Sequence, residues 1–197
     1  MNRHNFSGYD FAKVMHYPNA LYIFDLSEGY DPEFIRQKGW GVGKYNEKRP
    51  GMYDTSLFDD GRDIHMAIDI WANAGEPVFS FAHGKVVYRR DNDSEGNYGP
   101  TIVVKYKLDQ TDFFALYGHL SRESLRMISI GQEVQKGQKI ADLGDDSVNG
   151  GWVPHLHFQL SIEDPGEADM PGVVTEAQRE EALKTYPDPR LVLGDLY

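Results

Sequence analysis

The sequence contains no cysteine, and this absence removes two classes of site. A chain without thiols forms no disulfide framework and holds no metal through thiolates. Any metal ion in this protein must therefore be bound by histidine and carboxylate side chains.

The chain also lacks a long apolar run and an excess of basic residues. No stretch approaches the roughly 18 consecutive apolar residues that a membrane span requires. Residues 1–29 show no apolar run of signal-peptide length before a small-residue cleavage site, so we expect a cytoplasmic protein with no membrane partner. Lys and Arg total 20 against 31 Asp and Glu, a net charge of −11, which disfavours nucleic acid as a partner.

The composition favours a globular, β-rich protein. Hydrophobic residues make up 40% and aromatic residues 13%, while 20 Gly and 10 Pro indicate many turns. Short β-type runs separated by glycine turns fill residues 61–163, with no long helix between them. We expect strands at 64–72, 76–82, 84–90, 101–108, 112–120 and 155–162, with a segment at 131–144 that contains two Gly-Gln turns. This pattern predicts a mainly β fold, an antiparallel sheet folded into a sandwich or barrel.

The segment before this domain, residues 1–60, is irregular and broken by prolines and glycines. It contains a predicted strand at 20–26 and a short predicted helix at 31–41, with proline at its start. We interpret residues 1–60 as an extension that packs on the domain.

The segment after the domain, residues 164–197, contains one predicted helix at 175–186. Thr175 is its candidate cap, acidic residues fill its first turns, and Pro187 ends it. The chain thus divides into an N-terminal extension (1–60), a β domain (61–163) and a C-terminal extension (164–197).

The stretch "PHLHF" places two histidines on alternate positions of a predicted strand. Side chains at i and i+2 share a strand face, so His155 and His157 point together while Leu156 and Phe158 face the other side. For a single His-x-His the ordinary explanation is a solvated sheet face.

Two further motifs change that interpretation. In "HMAID", His65 and Asp69 are four residues apart and share one face, and Ile68 and Ile70 flank Asp69 in an apolar strand. A carboxylate in an apolar strand costs free energy unless it is paired or bound to a cation, which favours a metal ligand. In "LYGHLS", His119 ends an apolar strand, a position suited to proton transfer.

Taken together, these residues predict a hydrolytic metal site. Two histidines and one carboxylate bind zinc and leave a fourth position for water, while two further histidines act on that water and on the developing oxyanion. Iron(II) oxygenases use the same type of triad, but they have no need of His119 and His155.

The ordered set H-x-x-x-D, Y-G-H-L and P-H-L-H-F resembles the M23 (lysostaphin/LytM-type) zinc metallopeptidase family. The runs "HMAIDIWANAGEPVFSFAHGKVV" and "GQEVQKGQKIADLG" agree with it, so the resemblance covers about residues 61–163. It implies an M23-type (LytM-like) β fold and hydrolysis of peptide bonds, with peptidoglycan peptides as the usual substrates.

The resemblance also implies a role for each motif residue. His65, Asp69 and His157 would bind one Zn²⁺, and His119 and His155 would be the catalytic pair. A tyrosine upstream of the first motif assists the oxyanion in some members, and Tyr53 is a candidate by its order in the chain. Two departures are Ala67, where glycine is usual, and Trp152, a bulky residue before the last motif that we expect to narrow the substrate groove.

A closer resemblance reaches both ends of the chain. "LYIFDLSEG", "YGPTIVVKY", "LYGHLSRESL" and "PDPRLVLG" are similar to the M23-type domain of large fusion proteins that also carry phosphotransferase-like and class III aminotransferase-like domains. This resemblance implies an intracellular domain without a defined substrate.

Two alternative functions remain open from the sequence. A cytoplasmic metal-dependent peptidase or amidase acting on a small, non-wall substrate is favoured by the acidic charge and the absence of an export signal. A non-catalytic zinc-binding regulatory module is disfavoured because all five site positions are filled. Residues 1–60 could also occlude the site or supply a fourth ligand.

Overall fold

The computed structural model describes residues 6, 8–108 and 110–197. Residues 1–5 and 7 of the predicted extension lie outside the described residues. The strands are β1 Tyr22–Ile23, β2 Gly41–Gly43, β3 Ile64–His65, β4 Ile68–Trp71, β5 Pro77–Phe79, β6 Gly84–Asn92, β7 Gly99–Leu108, β8 Thr111–Gly118, β9 Glu133–Val134, β10 Lys139–Asp142, β11 His155–Ser161 and β12 Val173–Val174. The helices are α1 Pro32–Lys38, α2 Arg122–Met127, α3 Arg179–Thr185 and α4 Arg190–Leu193, with a 3₁₀ turn at Ser56–Phe58.

One eight-stranded sheet organises the molecule, in the order β1-β2-β4-β11-β8-β7-β6-β9. Its pairs are antiparallel except for β1 and β2, which run parallel. Two small sheets, β10-β5 and β12-β3, complete the β structure. The predicted mainly β, antiparallel fold is therefore confirmed.

The central strands separate an apolar face from a polar one by simple alternation. Ile68 and Ile70 of β4, with Leu156 and Phe158 of β11, are fully buried in the largest hydrophobic cluster. Each such side chain stabilises the fold by about 1.5–3 kcal/mol through removal from water. The intervening residues of both strands point to the opposite face of the sheet.

The predicted strand 64–72 is two strands in the structure. β3 pairs with β12, whereas β4 pairs with β2 and β11, so the chain changes partners at residues 66 and 67. The amide of Met66 donates to the Gly172 carbonyl at 2.8 Å, which holds the chain at this change.

The predicted C-terminal helix is present but begins four residues late, at Arg179. The Thr175 amide donates to Oε1 of Gln178 at 3.0 Å, and its hydroxyl donates to the same oxygen at 3.1 Å. These two hydrogen bonds engage Thr175, the residue expected to cap the helix, in a local turn. The first four positions of the predicted helix, residues 175–178, are therefore not helical. The helix ends at Thr185, ahead of Pro187 as expected, and the single turn α4 follows.

The segment before residue 61 contributes directly to the main sheet. Strand β2 pairs with β4, and β1 lies beside β2. Helix α1 forms where expected, with Asp31 accepting from the Phe34 amide at 3.0 Å and Pro32 in the first turn. The division of the chain into three parts stays a prediction, and the sheet continues across its first boundary.

Within the described part of the chain, no helix combines the length and the apolar character that a bilayer crossing requires.

Candidate metal centre and active-site cleft

Four neighbouring strands place one row of residues side by side across the polar face of the sheet. Asp69 of β4 lies between Gly43 of β2 and His157 of β11, and His157 lies next to Gly118 of β8. The flanking glycines leave room for larger neighbours above them. A Cβ on Gly118 would lie 2.9 Å from the ring of Tyr98, closer than side-chain atoms normally approach.

Three ligand atoms converge at the centre of this row. Nε2 of His65 lies 3.3 Å from Oδ1 of Asp69, Nδ1 of His157 lies 3.2 Å from the same oxygen, and the two nitrogens are 3.3 Å apart. Ligands at 2.0–2.1 Å from a tetrahedral zinc ion lie about 3.3 Å from one another. The three atoms therefore fit one zinc ion.

The state of Asp69 also fits a cation. Its Oδ1 is buried and makes no well-formed hydrogen bond with any described residue. An unsatisfied buried carboxylate oxygen is costly without a positive partner. In the described part of the chain this cluster has three members, so none of the described residues before position 61 adds a fourth carboxylate or imidazole.

Hydrogen bonds on the far side of each ring fix the ligating nitrogens. Nδ1 of His65 donates to the Lys44 carbonyl at 3.2 Å, and Nε2 of His157 donates to Oε1 of Gln159 at 3.1 Å. The Gln159 amide in turn donates to the Pro171 carbonyl at 3.2 Å, which sets its orientation. Because each of these ring nitrogens carries the proton, the other one presents a lone pair to the metal position.

Gln159→Leu is expected to weaken zinc binding by about 10–100-fold, since the His157 ring loses the acceptor that orients it. Zinc affinity measured by chelator competition tests this. Ser161→Ala is the matched control, because Ser161 is equally buried on β11 and its hydroxyl bonds the Glu163 carbonyl instead. Equal zinc affinity in the Gln159 variant and the wild type would show that this contact does not orient the ligand.

The other two histidines lie beside the three ligand atoms. Nδ1 of His155 donates to the Val153 carbonyl at 2.7 Å, and Nδ1 of His119 donates to the Asn149 carbonyl at 2.8 Å. The two ring centroids are 4.2 Å apart. Nε2 of His155 is 3.8 Å from Oδ1 of Asp69. Both rings therefore keep an unprotonated Nε2, and that of His155 lies next to the metal position.

The backbone at His119 is strained. Its φ of +61° lies in the left-handed region, which costs a non-glycine residue about 1–3 kcal/mol. Two bonds hold it there: its amide donates to the Tyr98 carbonyl and its carbonyl accepts from the Gly144 amide, each at 2.9 Å. Strain of this kind is typical of functional sites, where surrounding structure fixes one side chain.

Burial favours the neutral imidazoles of His65, His119 and His155, while neighbouring groups keep the Asp69 carboxylate ionised. Burial lowers the pKa of His65 to about 4 and lowers the pKa of His155 and, more strongly, of His119. Burial alone would raise the pKa of Asp69, but the interactions of the carboxylate with the His65 ring and with the Arg49 guanidinium outweigh it and hold that pKa well below its usual value. Neutral imidazole and ionised carboxylate are the states that bind a metal.

A cleft with an empty volume of about 620 Å³ lies over these residues. Its walls include the aromatic side chains Tyr53, Tyr98 and Trp152, and Arg62 and Asp169 add charge. Trp152 is fixed by a 3.1 Å hydrogen bond from its indole nitrogen to the Gly96 carbonyl. The tyrosine and the tryptophan singled out in the sequence thus both line the cleft.

The structure brings together all five residues that the sequence predicted for the site: His65, Asp69, His119, His155 and His157. Sequence reasoning missed Gln159 and Arg49. Gln159 had a signal, because it continues the alternation of His155 and His157 on one strand face. Arg49 had none, since its contact with Asp69 depends on the path of residues 44–53.

Comparison with known proteins supports one family. Residues 63–182, which are 120 of the 197, match the model described as Peptidase family M23. Endolysin 2638A of Staphylococcus phage 2638A is 27% identical over 148 residues, 67% of this chain and 28% of the endolysin. Peptidoglycan DD-endopeptidase ShyB of Vibrio cholerae is 32% identical over 111 residues, 54% of this chain and 24% of ShyB. The chain thus spans about a quarter of the length of these two relatives.

The fold agrees with that match. The catalytic domain of lysostaphin from Staphylococcus simulans aligns with a TM-score of 0.52 at 22% identity, covering 84% of this chain and 99% of that domain. The similarity to the domain of aminotransferase-like fusion proteins stays a prediction. Because the family model covers more than half of the chain, this protein belongs to peptidase family M23.

Proposed function

We propose that this protein is a zinc-dependent metallopeptidase that hydrolyses an amide bond, with peptidoglycan-type peptides as its substrate class. The observation that carries the proposal is the triangle of His65, Asp69 and His157 ligand atoms, 3.2–3.3 Å apart, beside two further buried histidines. The names of the endolysin and of the DD-endopeptidase support the substrate class by analogy.

His65, Asp69 and His157 would hold one Zn²⁺. When bound, zinc supplies Lewis-acid activation of a water molecule and of the scissile carbonyl.

The catalytic pair would move the proton. Because Nδ1 of both His119 and His155 donates to a backbone carbonyl, each ring begins as a proton acceptor at Nε2. One ring accepts the proton of the attacking water, and the resulting imidazolium returns it to the leaving nitrogen.

Tyr53 would donate a hydrogen bond to the oxyanion. Its hydroxyl oxygen accepts from Nη1 of Arg49 at 3.2 Å, which leaves the Tyr53 proton free to point into the cleft. Burial raises the pKa of Tyr53 to about 12, so the hydroxyl remains a donor at neutral pH. Donors aimed at a developing oxyanion contribute about 3–4 kcal/mol of transition-state stabilisation.

The metal and the reaction are tested on protein purified without added metal. Elemental analysis should give one zinc per chain, and removal of that zinc by a chelator should abolish hydrolysis until zinc is restored. Iron in place of zinc would contradict the zinc assignment. A zinc-loaded protein that cleaves neither sacculi nor any short peptide would contradict the peptidase function.

The substrate is tested by comparing purified sacculi with a panel of short glycine-containing peptides. Release of new amino termini from sacculi is the expected result. Cleavage of short peptides with inert sacculi would favour the second candidate, a cytoplasmic peptidase or amidase on a non-wall substrate. That candidate draws on the net charge of −11, which disfavours binding to an anionic wall.

A further inference from the structure

We propose that Arg49 is a positioning residue that restricts Asp69 to one metal-facing oxygen and so keeps a coordination position open. The inference rests on the proposed metal site, and it assigns a role to a residue outside the ligand set.

Arg49 is the only fully buried arginine among the described residues, and two carboxylates lie against its guanidinium. Nη1 donates to Oδ2 of Asp69 at 2.7 Å, and Nε donates to Oε2 of Glu47 at 3.0 Å. An isolated guanidinium in this environment would be very costly, and the two carboxylates offset the cost of burying it.

The two oxygens of Asp69 face different partners. Oδ2 is bonded to Arg49, while Oδ1 faces the nitrogens of His65 and His157. A carboxylate held in this way offers the metal one oxygen. If Oδ2 were free, Asp69 could turn to bind through both oxygens and fill the position that a catalytic zinc site keeps for water and substrate.

The segment that carries Arg49 is built around its guanidinium. A Cβ on Gly43 would lie 2.7 Å from Nη2 of Arg49, so a larger residue there would displace the side chain. Glu47 is itself fixed, because its Oε1 accepts from the Leu26 amide at 3.3 Å and lies 3.2 Å from Nζ of Lys44.

One backbone carbonyl links this arginine to a second ligand. The Lys44 carbonyl accepts from Nη2 of Arg49 at 3.4 Å and from Nδ1 of His65 at 3.2 Å. The loop before β3 therefore orients two of the three proposed ligands, Asp69 through the guanidinium and His65 through the carbonyl.

The test measures metal binding in Arg49→Met and Arg49→Lys. We expect Arg49→Met to bind zinc about 10–100-fold more weakly in chelator competition. With Co²⁺ in place of zinc, its visible absorption should weaken as Asp69 adds its second oxygen and the coordination number rises. Arg49→Lys keeps the positive charge but lacks the planar guanidinium that donates to both carboxylates. Its zinc affinity should therefore fall between those of Arg49→Met and the wild type.

Glu47→Gln is the matched control for a purely structural role. It removes a charge partner of Arg49 but leaves the Arg49–Asp69 hydrogen bond, so the unfolding temperature should fall while zinc affinity and the Co²⁺ spectrum stay near those of the wild type. If Arg49→Met does not fold, the zinc affinity and the Co²⁺ spectrum of Arg49→Lys are compared with those of the wild type instead.

Two results would overturn the inference alone. Wild-type zinc affinity and an unchanged Co²⁺ spectrum in both Arg49 variants would show that Arg49 does not position Asp69. Equal losses of affinity in Glu47→Gln and the Arg49 variants would show a structural role only. If the wild type bound no metal ion tightly, the proposed function would be overturned together with this inference. That result is seen in the wild type alone, so it is distinguished from a failure of the inference, which is seen only in the variants.

Discussion

Replacing His157 with alanine is expected to abolish stoichiometric zinc binding. Nδ1 of His157 is one corner of the ligand triangle, and removal of that corner leaves one imidazole and one carboxylate. Structural zinc sites in small peptides are worth about 10–16 kcal/mol, and on that scale the loss of one ligand in three should cost on the order of 4 kcal/mol, about a thousandfold in affinity. Elemental analysis of the purified variant measures the effect directly.

A second measurement separates lost metal from lost packing. Zinc bound to the folded state raises the unfolding temperature, so a chelator should lower it in the wild type and leave it unchanged in His157→Ala. His83→Ala is the control, because His83 is exposed and remote from the ligand triangle. One equivalent of zinc in purified His157→Ala would contradict the ligand assignment.

Local periodicity explains why the site could be found from the sequence. Along β11, alternation sends Leu156, Phe158 and Leu160 into the core and places His155 and His157 together on the opposite face. This pattern depends on two-residue spacing within one strand, which the sequence records directly. The same reasoning extends to Gln159.

Contacts between distant segments were not predictable in this way. Residues 64 and 65 pair with β12, more than 100 residues later, and this pairing separates β3 from β4. The interaction of Arg49 with Asp69 likewise depends on the path of the loop after β2. The local sequence of residues 44–53 does not predict that Arg49 is buried, because its burial also depends on the Asp69 carboxylate, which the fold brings to it.

Removing the imidazole of His119 is expected to leave zinc in place and to reduce turnover by about 10²–10⁴-fold, the usual contribution of a positioned acid or base. The ring lies 4.2 Å from that of His155, Nδ1 is bonded to the Asn149 carbonyl, and His119 is not a member of the three-residue cluster, so the proposed mechanism gives it proton transfer and not metal binding. The measurement is kcat on a cleaved peptide, with zinc content determined on the same samples.

The choice of variant matters because His119 has a φ of +61°. Alanine disfavours this backbone region, whereas asparagine adopts it more readily, so His119→Asn removes the imidazole with less added strain. Loss of kcat in both variants, with one zinc per chain and little change in KM, would identify proton transfer as the lost function. Turnover close to that of the wild type in His119→Asn would show that His155 alone carries out the proton transfer. Loss of zinc in His119→Asn would instead make the His119 imidazole part of the metal site, because asparagine keeps the backbone turn and removes only the ring.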